Sequence, residues 1–220
     1  MRIRRSLYER TKRLIDRVVA GILLALLMPL LAVIAAGVRL RLGSPILFRQ
    51  VRAGREGVPF VLVKFRTMRP PADLTYVDPD TDSARLDRFG QLLRSTSLDE
   101  LPTLVNVLRG DMSLVGPRPL LPEYTPLYSP YHARRLEVPP GLTGWAQVNG
   151  RNSLSWSERF DLDVWYVEHR SHLLDFRILA ATLRSVVTHE GIKAEGHASM
   201  PRFTGYRDDG LTDRSERRDD

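Results

Sequence analysis

The chain contains no cysteine among its 220 residues. This absence excludes disulfide bonds, a cysteine nucleophile and zinc sites built from thiolates. The five histidines are scattered along the sequence, without the spacing of a metal-binding pair. No internal repeat is present either, so the length predicts one domain with its own core and a short additional segment.

Acidic residues are the scarcer charged type: the chain has 26 of them and 33 lysines and arginines, which gives a net charge of +7. A basic chain suits nucleic acid, anionic lipid or phosphorylated small molecules. Because the sequence has no zinc knuckle, helix-turn-helix or RNP-like aromatic pattern, we do not expect nucleic acid as a partner. Basic residues crowd both sides of an N-terminal apolar run: Arg2, Arg4, Arg5, Arg10, Lys12, Arg13, Arg17, Arg39 and Arg41. Such residues are attracted to an anionic bilayer by about 1 kcal/mol each.

Charge is missing altogether from Val18 to Val38, a run long enough to cross a hydrocarbon core of about 30 Å. One interpretation is an ordinary transmembrane helix. A signal peptide fits poorly, because the run is too long and no small-residue cleavage site follows it. Both flanks are basic, and Pro29 near the centre removes a backbone hydrogen bond. We therefore expect a re-entrant hairpin, broken at Pro29, that returns to the face from which it entered.

A β-hairpin is predicted from two apolar stretches, residues 46–52 and 58–64, which are separated by a turn with two glycines. Lys64 and Arg66 place two cations at its far end, either as a solvated strand end or as an anion-binding pair. A short amphipathic helix is predicted over residues 85–95. Its expected apolar side consists of Leu86, Phe89, Leu92 and Leu93.

The adjacent carboxylates Asp99 and Glu100 begin a short apolar helix. Ser97 and Glu100 also form the pattern of a capping box, which gives Glu100 a structural alternative to a chemical role. With Ser97 as the cap, Pro102 falls later in the helix than proline prefers, whereas a helix that starts at Pro102 and stops at Gly110 fits the positional preferences of proline and glycine. In both cases Asp99 lies at a helix N-terminus, where free amides favour an anion.

Arg118 stands between Pro117 and Pro119, whose restricted backbone lowers the entropy cost of presenting its side chain. An acid pair beside a fixed guanidinium suits phosphoryl chemistry, because it combines a nucleophile or metal ligand with a clamp for phosphate oxygens. The apolar hairpin near the N-terminus then suggests that the phosphate belongs to a lipid.

A loop rich in glycine and amides is predicted over residues 139–152. Its Gln147, Asn149 and Arg151 are candidates for binding sugar hydroxyls, a base or phosphate. The alternative is a buried turn with Trp145 as its packing anchor.

Two further helices are predicted near the C-terminus. Ser155 and Glu158 form a capping box at the start of the first, which runs to His169. The second covers residues 175–189. Its expected packed face consists of Phe176, Leu179, Leu183 and Val186. From residue 197 to residue 220 the polar composition predicts a disordered tail.

These motifs together resemble the bacterial sugar transferase family of monotopic phosphoglycosyl transferases. The likeness covers about residues 12–192 and is carried by a combination of motifs rather than by any single one. The motifs are Phe48-Arg49-Gln50, Lys64 to Met68, Ser97 to Pro102, Gly110 to Pro119, Thr143 to Gln147, and Asn149-Gly150-Arg151.

The resemblance implies a reaction and roles for individual residues. A sugar 1-phosphate passes from a UDP-sugar to polyprenyl (undecaprenyl) phosphate and UMP is released, with Asp99 as nucleophile and Glu100 as its partner. Mg²⁺ sits at this acid pair, Arg94 and Arg118 lie near the phosphates, and Lys64 is a basic residue of the site. The sugar is open between glucose, galactose and their N-acetylated forms, and so is the oligomeric state. A non-catalytic membrane-tethered scaffold and a UDP-releasing glycosyltransferase are the alternative functions.

The resemblance also implies an α+β architecture seated on the cytoplasmic face of the bacterial inner membrane. A re-entrant membrane hairpin and amphipathic interfacial helices support a small catalytic domain that contains the β-hairpin. We expect a basic membrane segment over residues 1–41, the catalytic domain over 42–196 and the disordered tail over 197–220. The chain looks like the minimal form of the family, without the large N-terminal membrane region of longer members.

Overall fold

The computed structural model of the protein describes residues 2–69, 85–150, 154–188 and 202–206. Its first element is a helix of 40 residues, α1 (Arg2–Arg41), with Pro29 inside it. The expected break at Pro29 is not found, because the helix continues on both sides of the proline. The re-entrant hairpin is therefore not confirmed by the fold.

One side of α1 packs on the rest of the molecule toward both ends of the helix. Ala20 is fully buried in a core cluster that includes Leu104, and Val38 is fully buried in a second cluster with Leu93. The other side is apolar and more than half exposed at Leu7, Leu14, Val18, Ile22, Leu26, Met28, Val33 and Leu40. A row of this kind is typical of a helix that contacts a membrane, and α1 is long and apolar enough to cross one.

The predicted β-hairpin is confirmed: β1 (Leu47–Ala53) and β2 (Pro59–Phe65) pair antiparallel. Phe48 lies opposite Lys64 at the open end of the hairpin. Because side chains alternate along a strand, Arg52 projects from the same face as Phe48. This face is turned toward the Pro-Arg-Pro segment, where an Arg52 nitrogen donates to the Pro119 carbonyl at 3.5 Å.

Helix α2 (Arg88–Ser95) begins three residues later than the predicted start of the 85–95 helix. It starts there because the Asp87 carboxylate accepts a hydrogen bond from the Gly90 amide, as an N-cap does. Leu93 is buried on its packed side, as predicted. Leu92 is 54% exposed, so its place on that side was predicted wrongly.

Helix α3 (Leu104–Arg109) ends at Gly110, the predicted stop, where φ is 92°. Asn106 of α3 is fully buried and ties the hairpin to this helix. Its amide donates to the Val61 carbonyl at 2.8 Å, and its side-chain oxygen accepts from the Val63 amide at 3.1 Å. The hairpin and the segment before α3 are thereby held in one orientation.

Six short elements follow: β3 (Ser113–Val115), a 3₁₀ helix (Pro122–Leu127), α4 (Pro130–Ala133), a second 3₁₀ helix (Arg134–Glu137), β4 (Gly141–Thr143) and α5 (Trp145–Val148). The strands β3 and β4 pair in parallel, and the Gly116 amide donates to the Thr143 carbonyl at 2.9 Å. A Cβ on Gly141 would lie 2.1 Å from the Gly116 nitrogen, so this approach requires glycine. The loop predicted over 139–152 therefore contains a strand and a helical turn, because its backbone pairs with β3.

Helix α6 (Trp156–His169) carries the predicted capping box at its start. The Ser155 hydroxyl accepts from the Glu158 amide, and the Glu158 carboxylate accepts from the Ser155 amide. This reciprocal pair satisfies two backbone donors that a helix start leaves free.

Helix α7 (His172–Thr188) begins three residues before the predicted start at Asp175. Its buried apolar residues are Leu174 and Ile178, and Asp175 is buried beside them, whereas Phe176 and Leu183 are 69% and 68% exposed. The face predicted to pack is thus partly wrong, and α7 keeps an apolar exposed row in addition to its buried side.

Part of the segment predicted to be disordered is folded. Within 202–206, Phe203 is buried at 4% exposure. It makes edge contacts with Tyr124 and Phe160, with ring centroids 5.8 and 5.1 Å apart. These contacts attach the short segment to the core, and the disorder predicted for 197–220 as a whole stays a prediction, since most of that range lies outside the described residues.

Candidate active site

Asp99 and Glu100 lie in a 3₁₀ helix, Leu98–Thr103, between α2 and α3. Ser97 precedes it with a left-handed backbone, φ 56°, and its side chain makes no capping hydrogen bond. The predicted capping box at Ser97 is therefore wrong, since an N-cap residue needs an extended backbone to reach the helix amides. The Glu100 carboxylate is free for contacts elsewhere.

Asp99 is 4% exposed and faces the hairpin. The Lys64 Nζ atom lies 4.0 Å from its Oδ2 atom. This separation is too long for a hydrogen bond, so Lys64 supplies positive charge without occupying the carboxylate. Thr103, four residues along, donates to the Val63 carbonyl at 2.9 Å and fixes the 3₁₀ helix against β2.

Glu100 contacts the guanidinium of the Pro-Arg-Pro segment. An Arg118 nitrogen donates to Glu100 Oε1 at 2.9 Å, a charge-assisted hydrogen bond. The Arg118 side chain is 43% exposed, so its remaining donors face the solvent beside the acid pair. The structure thus brings together the two motifs that the sequence singled out.

The two carboxylates have opposite pKa shifts. Burial raises the pKa of Asp99 to about 6, and the charge of Glu100 adds to the rise. The cations that oppose it are Lys64, Arg94 and Arg118. For Glu100 the burial effect is outweighed by Arg118 and Lys64, so its pKa is lowered. Pairs of titratable groups pushed apart in this way are typical of sites that divide chemical roles between them.

Arg94 projects from the end of α2 toward the segment that follows the hairpin. Its Nε donates to Thr67 Oγ1 at 3.0 Å, and a terminal nitrogen lies 3.4 Å from Met68 Sδ. The charge of Arg94 lowers the pKa of Asp99, and phosphate binding by Arg94 stays a prediction.

Arg66 has a different environment from the other predicted cations. It is 8% exposed and donates to the Ser44 carbonyl at 3.0 Å and to the Leu42 carbonyl. These oxygens lie just beyond α1, where unpaired helix carbonyls attract a cation. The guanidinium holds the end of α1, and phosphate binding by Arg66 stays a prediction.

The amide-rich segment makes local contacts. Asn149 donates to the Trp145 carbonyl at 2.9 Å, and Gln147 makes a long contact of 3.5 Å with a carbonyl of its own segment. Trp145 packs on the main core and stacks on Trp165, with centroids 4.9 Å apart. These contacts favour the packing-anchor interpretation of Trp145. Arg151 lies outside the described residues, and substrate binding by all three polar residues stays a prediction.

A buried ion pair that sequence reasoning missed supports the arginine segment from behind. Two Arg135 nitrogens donate to Asp163 Oδ2 at 3.0 and 2.8 Å, and both side chains are 2% exposed. Arg135 also donates to the Arg118 carbonyl at 2.8 Å and to the Tyr128 hydroxyl at 3.2 Å. The backbone that carries Arg118 is thereby fixed to α6.

The sequence did contain a signal for this pair. Asp163 lies on the buried side of α6, between Phe160 and Val167. A carboxylate at an apolar position of a helix indicates a buried cationic partner, because an unpaired charge there is strongly unfavourable. The identity of that partner required the fold, since Arg135 is distant in sequence.

The acid pair also fits a magnesium ion that arrives with a phosphorylated substrate. Within the described residues no group of three or more histidines and carboxylates is able to hold a metal. Mg²⁺ commonly takes only one or two carboxylates and completes its shell with water and substrate phosphate oxygens. Asp99 and Glu100 supply that donor set, and the cations around them suit a diphosphate.

Comparison with known proteins shows the family to which the chain belongs. The profile of the family described as bacterial sugar transferase matches residues 7–189. A sugar transferase of Bacillus subtilis (strain 168), EpsL, is 51% identical over 197 residues, covering 90% of this chain and 97% of the relative.

Two further relatives have names that state a reaction. The UDP-glucose:undecaprenyl-phosphate glucose-1-phosphate transferase of Caulobacter vibrioides is 42% identical over 190 residues, covering 80% of this chain and 70% of the relative. The Escherichia coli (strain K12) protein of the same name is 40% identical over 182 residues. That match covers 78% of this chain and 39% of the longer relative.

Proposed function

The chain belongs to the bacterial sugar transferase family, and we propose from this membership that it transfers a sugar 1-phosphate from a UDP-sugar to polyprenyl phosphate through a covalent intermediate on Asp99. It is a phosphoglycosyl transferase, as its relatives are. Three parts of the proposal go beyond the family membership: the covalent step, the release of UMP and the position of the enzyme on the cytoplasmic face of the inner membrane.

The observation that carries the proposal is the environment of Asp99. This carboxylate is buried and lies 4.0 Å from Lys64, which does not hydrogen-bond it. Its neighbour Glu100 accepts a hydrogen bond from Arg118. With a pKa of about 6 it is mostly ionised at neutral pH, as a nucleophile must be. Its burial removes the competing water that would hydrolyse an acyl phosphate.

In the first step, an oxygen of Asp99 attacks the β-phosphorus of the UDP-sugar. The new oxygen–phosphorus bond forms as the bond from that phosphorus to the bridging oxygen breaks, and the bridging oxygen leaves with its electron pair on UMP. Arg118 and Lys64 stabilise the charge that develops on the phosphate oxygens. Mg²⁺, when held by the acid pair and the diphosphate, supplies further neutralisation of that charge.

In the second step, a phosphate oxygen of the polyprenyl phosphate attacks the same phosphorus. Its bond to phosphorus forms as the bond to Asp99 breaks, so the carboxylate is regenerated and the sugar is left on a polyprenyl diphosphate. Because UMP departs before the acceptor reacts, the kinetics are of the ping-pong type.

The membrane segment explains how the acceptor is reached. Pulling an isoprenoid chain out of the bilayer costs about 0.8 kcal/mol for each exposed CH₂ group, so the site must come to the membrane surface. The exposed apolar side of α1 and its basic flanks supply the contact. The exposed row on α7 is suited to lie at the same interface.

Both ends of α1 contact the same globular domain. Near its start, Lys12 lies 3.0 Å from Asp175 of α7. Near its end, Val38 and Leu42 pack with Phe65 of the hairpin. A helix that crossed the bilayer would carry its ends to opposite sides and lose one set of contacts. Because α1 is unbroken at Pro29, this supports a helix that lies in the membrane interface on the side of the domain and keeps both of its ends on that side.

The covalent step is tested with the substitution Asp99→Asn. Wild-type protein given a labelled UDP-sugar and Mg²⁺ without acceptor is expected to release UMP and gain the mass of one sugar phosphate. The variant is expected to do neither, because a side-chain amide in place of the carboxylate is not nucleophilic. Glu56→Gln removes an exposed carboxylate in the hairpin turn and serves as the matched control. Covalent labelling of the Asp99→Asn protein would show that another residue is the nucleophile.

The nucleotide product separates the alternatives in the same assay. An ordinary glycosyltransferase releases UDP once acceptor is present, and a tethered scaffold releases no nucleotide. A screen of UDP-sugars with undecaprenyl phosphate identifies the sugar at the same time.

A further inference from the structure

An open groove lies between the end of α1 and the start of β1, with a volume of about 650 Å³. This falls within the range of about 300–1,000 Å³ that is typical of small-ligand sites. Its lining combines the apolar residues Ile46, Leu47 and Phe48 with the cations Arg39, Arg49 and Arg66. Phe48 and Arg49 both line the groove, and neighbouring side chains on a strand point to opposite faces, so the groove wraps around one edge of β1 near its start.

The charge of the groove is of one sign. Three arginines and no carboxylate line it. Arg66 is occupied by the carbonyls beyond α1, whereas Arg39 and Arg49 are exposed and have no hydrogen bond or ion pair within the described ranges. Two free guanidinium groups beside an apolar wall are suited to an anion, and phosphate is the one that arginine recognises best.

The position of the groove favours a lipid as the carrier of that phosphate. Arg39 is the first charged residue after the uncharged run from Val18 to Val38. A cation at the end of an apolar membrane segment lies at the level of the headgroups. Next to it Leu40 is 85% exposed, which is the most exposed of the large apolar side chains within the described part of the chain.

The groove also adjoins the acid pair. Phe48 lines it, and the Lys64 Nζ atom lies 5.4 Å from the centre of the Phe48 ring. The same Nζ atom lies 4.0 Å from Asp99. One aromatic side chain therefore separates the groove from the lysine that faces the nucleophile.

We propose that this groove binds the headgroup of the polyprenyl phosphate acceptor. The phosphomonoester lies between Arg39 and Arg49, and the first isoprene units lie against Ile46 and Leu47 while the rest of the chain stays in the bilayer. The inference rests on the proposed function and adds a separate acceptor site to it. From the groove the phosphate passes Phe48 to reach the phosphosugar on Asp99.

The two half-reactions test the groove independently of the nucleophile. In Arg39→Gln and Arg49→Gln, the KM for undecaprenyl phosphate is expected to rise by about tenfold each, as for a lost charge-assisted hydrogen bond. The release of UMP in a single turnover without acceptor is expected to stay within about twofold of wild type, since neither arginine contacts the acid pair.

Arg41→Gln is the matched control, because Arg41 is exposed at the same end of α1 and does not line the groove. Its KM is expected to stay at the wild-type value. If the KM of Arg41→Gln rises equally, and the rise vanishes on neutral phosphatidylcholine nanodiscs, the arginines act by general attraction to anionic phospholipid. That result would overturn the proposed acceptor site. An unchanged KM in both groove variants would overturn it as well.

Failure of the proposed function gives a different result. If the wild-type protein releases no UMP, the proposed reaction is wrong but the acceptor site is still open to test. Binding of the protein to undecaprenyl phosphate in phosphatidylcholine nanodiscs then tests the acceptor site. Weakening by about tenfold in Arg39→Gln and Arg49→Gln, but not in Arg41→Gln, supports it, and equal binding by all variants overturns it.

Discussion

At the residue scale, the adjacent carboxylates Asp99 and Glu100 differ in pKa because they have different neighbours. Asp99 is buried and faces a lysine at 4.0 Å, whereas Glu100 bonds an arginine at 2.9 Å. Burial raises the pKa of the first carboxylate, whereas the arginine lowers the pKa of the second. The arginine in turn depends on Arg135, which fixes its backbone carbonyl. The chemistry of one residue thus rests on a chain of contacts that leads to α6.

The substitution Asp163→Asn tests this support. It leaves the Arg135 charge buried without a counter-ion, so the free energy of unfolding is expected to fall by about 3–5 kcal/mol. Denaturant unfolding in detergent, followed by tryptophan fluorescence, measures the change. Glu137→Gln removes an exposed partner of Arg134 and is expected to cost no more than about 1 kcal/mol. Equal stability of the Asp163→Asn protein and wild type would contradict the assigned role of the pair.

At the element scale, close backbone contacts place the motifs. The parallel pairing of β3 and β4 brings the segment before Arg118 against the glycines of the 141–144 segment. Helix α2 approaches the end of the hairpin equally closely at Gly90, where a Cβ would lie 2.0 Å from the Thr67 carbonyl oxygen. The same helix carries Arg94, so its position bears on the active site.

Two glycine substitutions are expected to have effects of opposite sign. Gly90→Ala must push α2 away from the hairpin, which is expected to cost about 1–3 kcal/mol and to slow UMP release by displacing Arg94. Gly21→Ala in α1 meets only a Leu108 methyl group at 3.7 Å, an ordinary contact. There the lower helix propensity of glycine predicts a gain of about 0.5–1 kcal/mol. Thermal unfolding in detergent compares the two, and a Gly90→Ala protein as stable as wild type would contradict the close approach.

At the scale of the whole molecule, one helix joins membrane contact to the catalytic core. The buried side of α1 contributes to two core clusters, and its exposed side is apolar. The polar contacts of Tyr8 and Lys12 with Asp175 dock the start of the helix on α7. The long apolar helix is therefore built into the same domain as the acid pair.

Single-cysteine labelling tests the arrangement, since the chain has no cysteine of its own. Arg10→Cys and Arg41→Cys place thiols at exposed positions near the two ends of α1. Both are expected to react with an impermeant maleimide in inside-out membrane vesicles and neither in intact spheroplasts. Leu26→Cys, at the apolar centre, is expected to react only after detergent is added. Labelling of the two ends from opposite sides of the membrane would refute the proposed topology.

Local sequence patterns determined much of this protein. The alternation and glycines around residues 46–64 fixed the hairpin, Gly110 ended α3, and Ser155 with Glu158 began α6, because each depends on contacts within a few residues. The absence of cysteine, the uncharged run of α1 and the combination of acid pair and Pro-Arg-Pro were likewise visible in the sequence.

Tertiary contacts decided the rest, and they overrode local preference where the two conflicted. Ser97 has the sequence of a cap but a left-handed backbone, because the 3₁₀ helix after it is fixed to β2. Arg66 looked like a free cation, yet it binds carbonyls beyond α1. Phe203 holds a segment that composition predicts to be disordered. Charged residues and their partners lie far apart in the sequence and meet only when the chain folds. Local sequence patterns therefore do not identify these pairs.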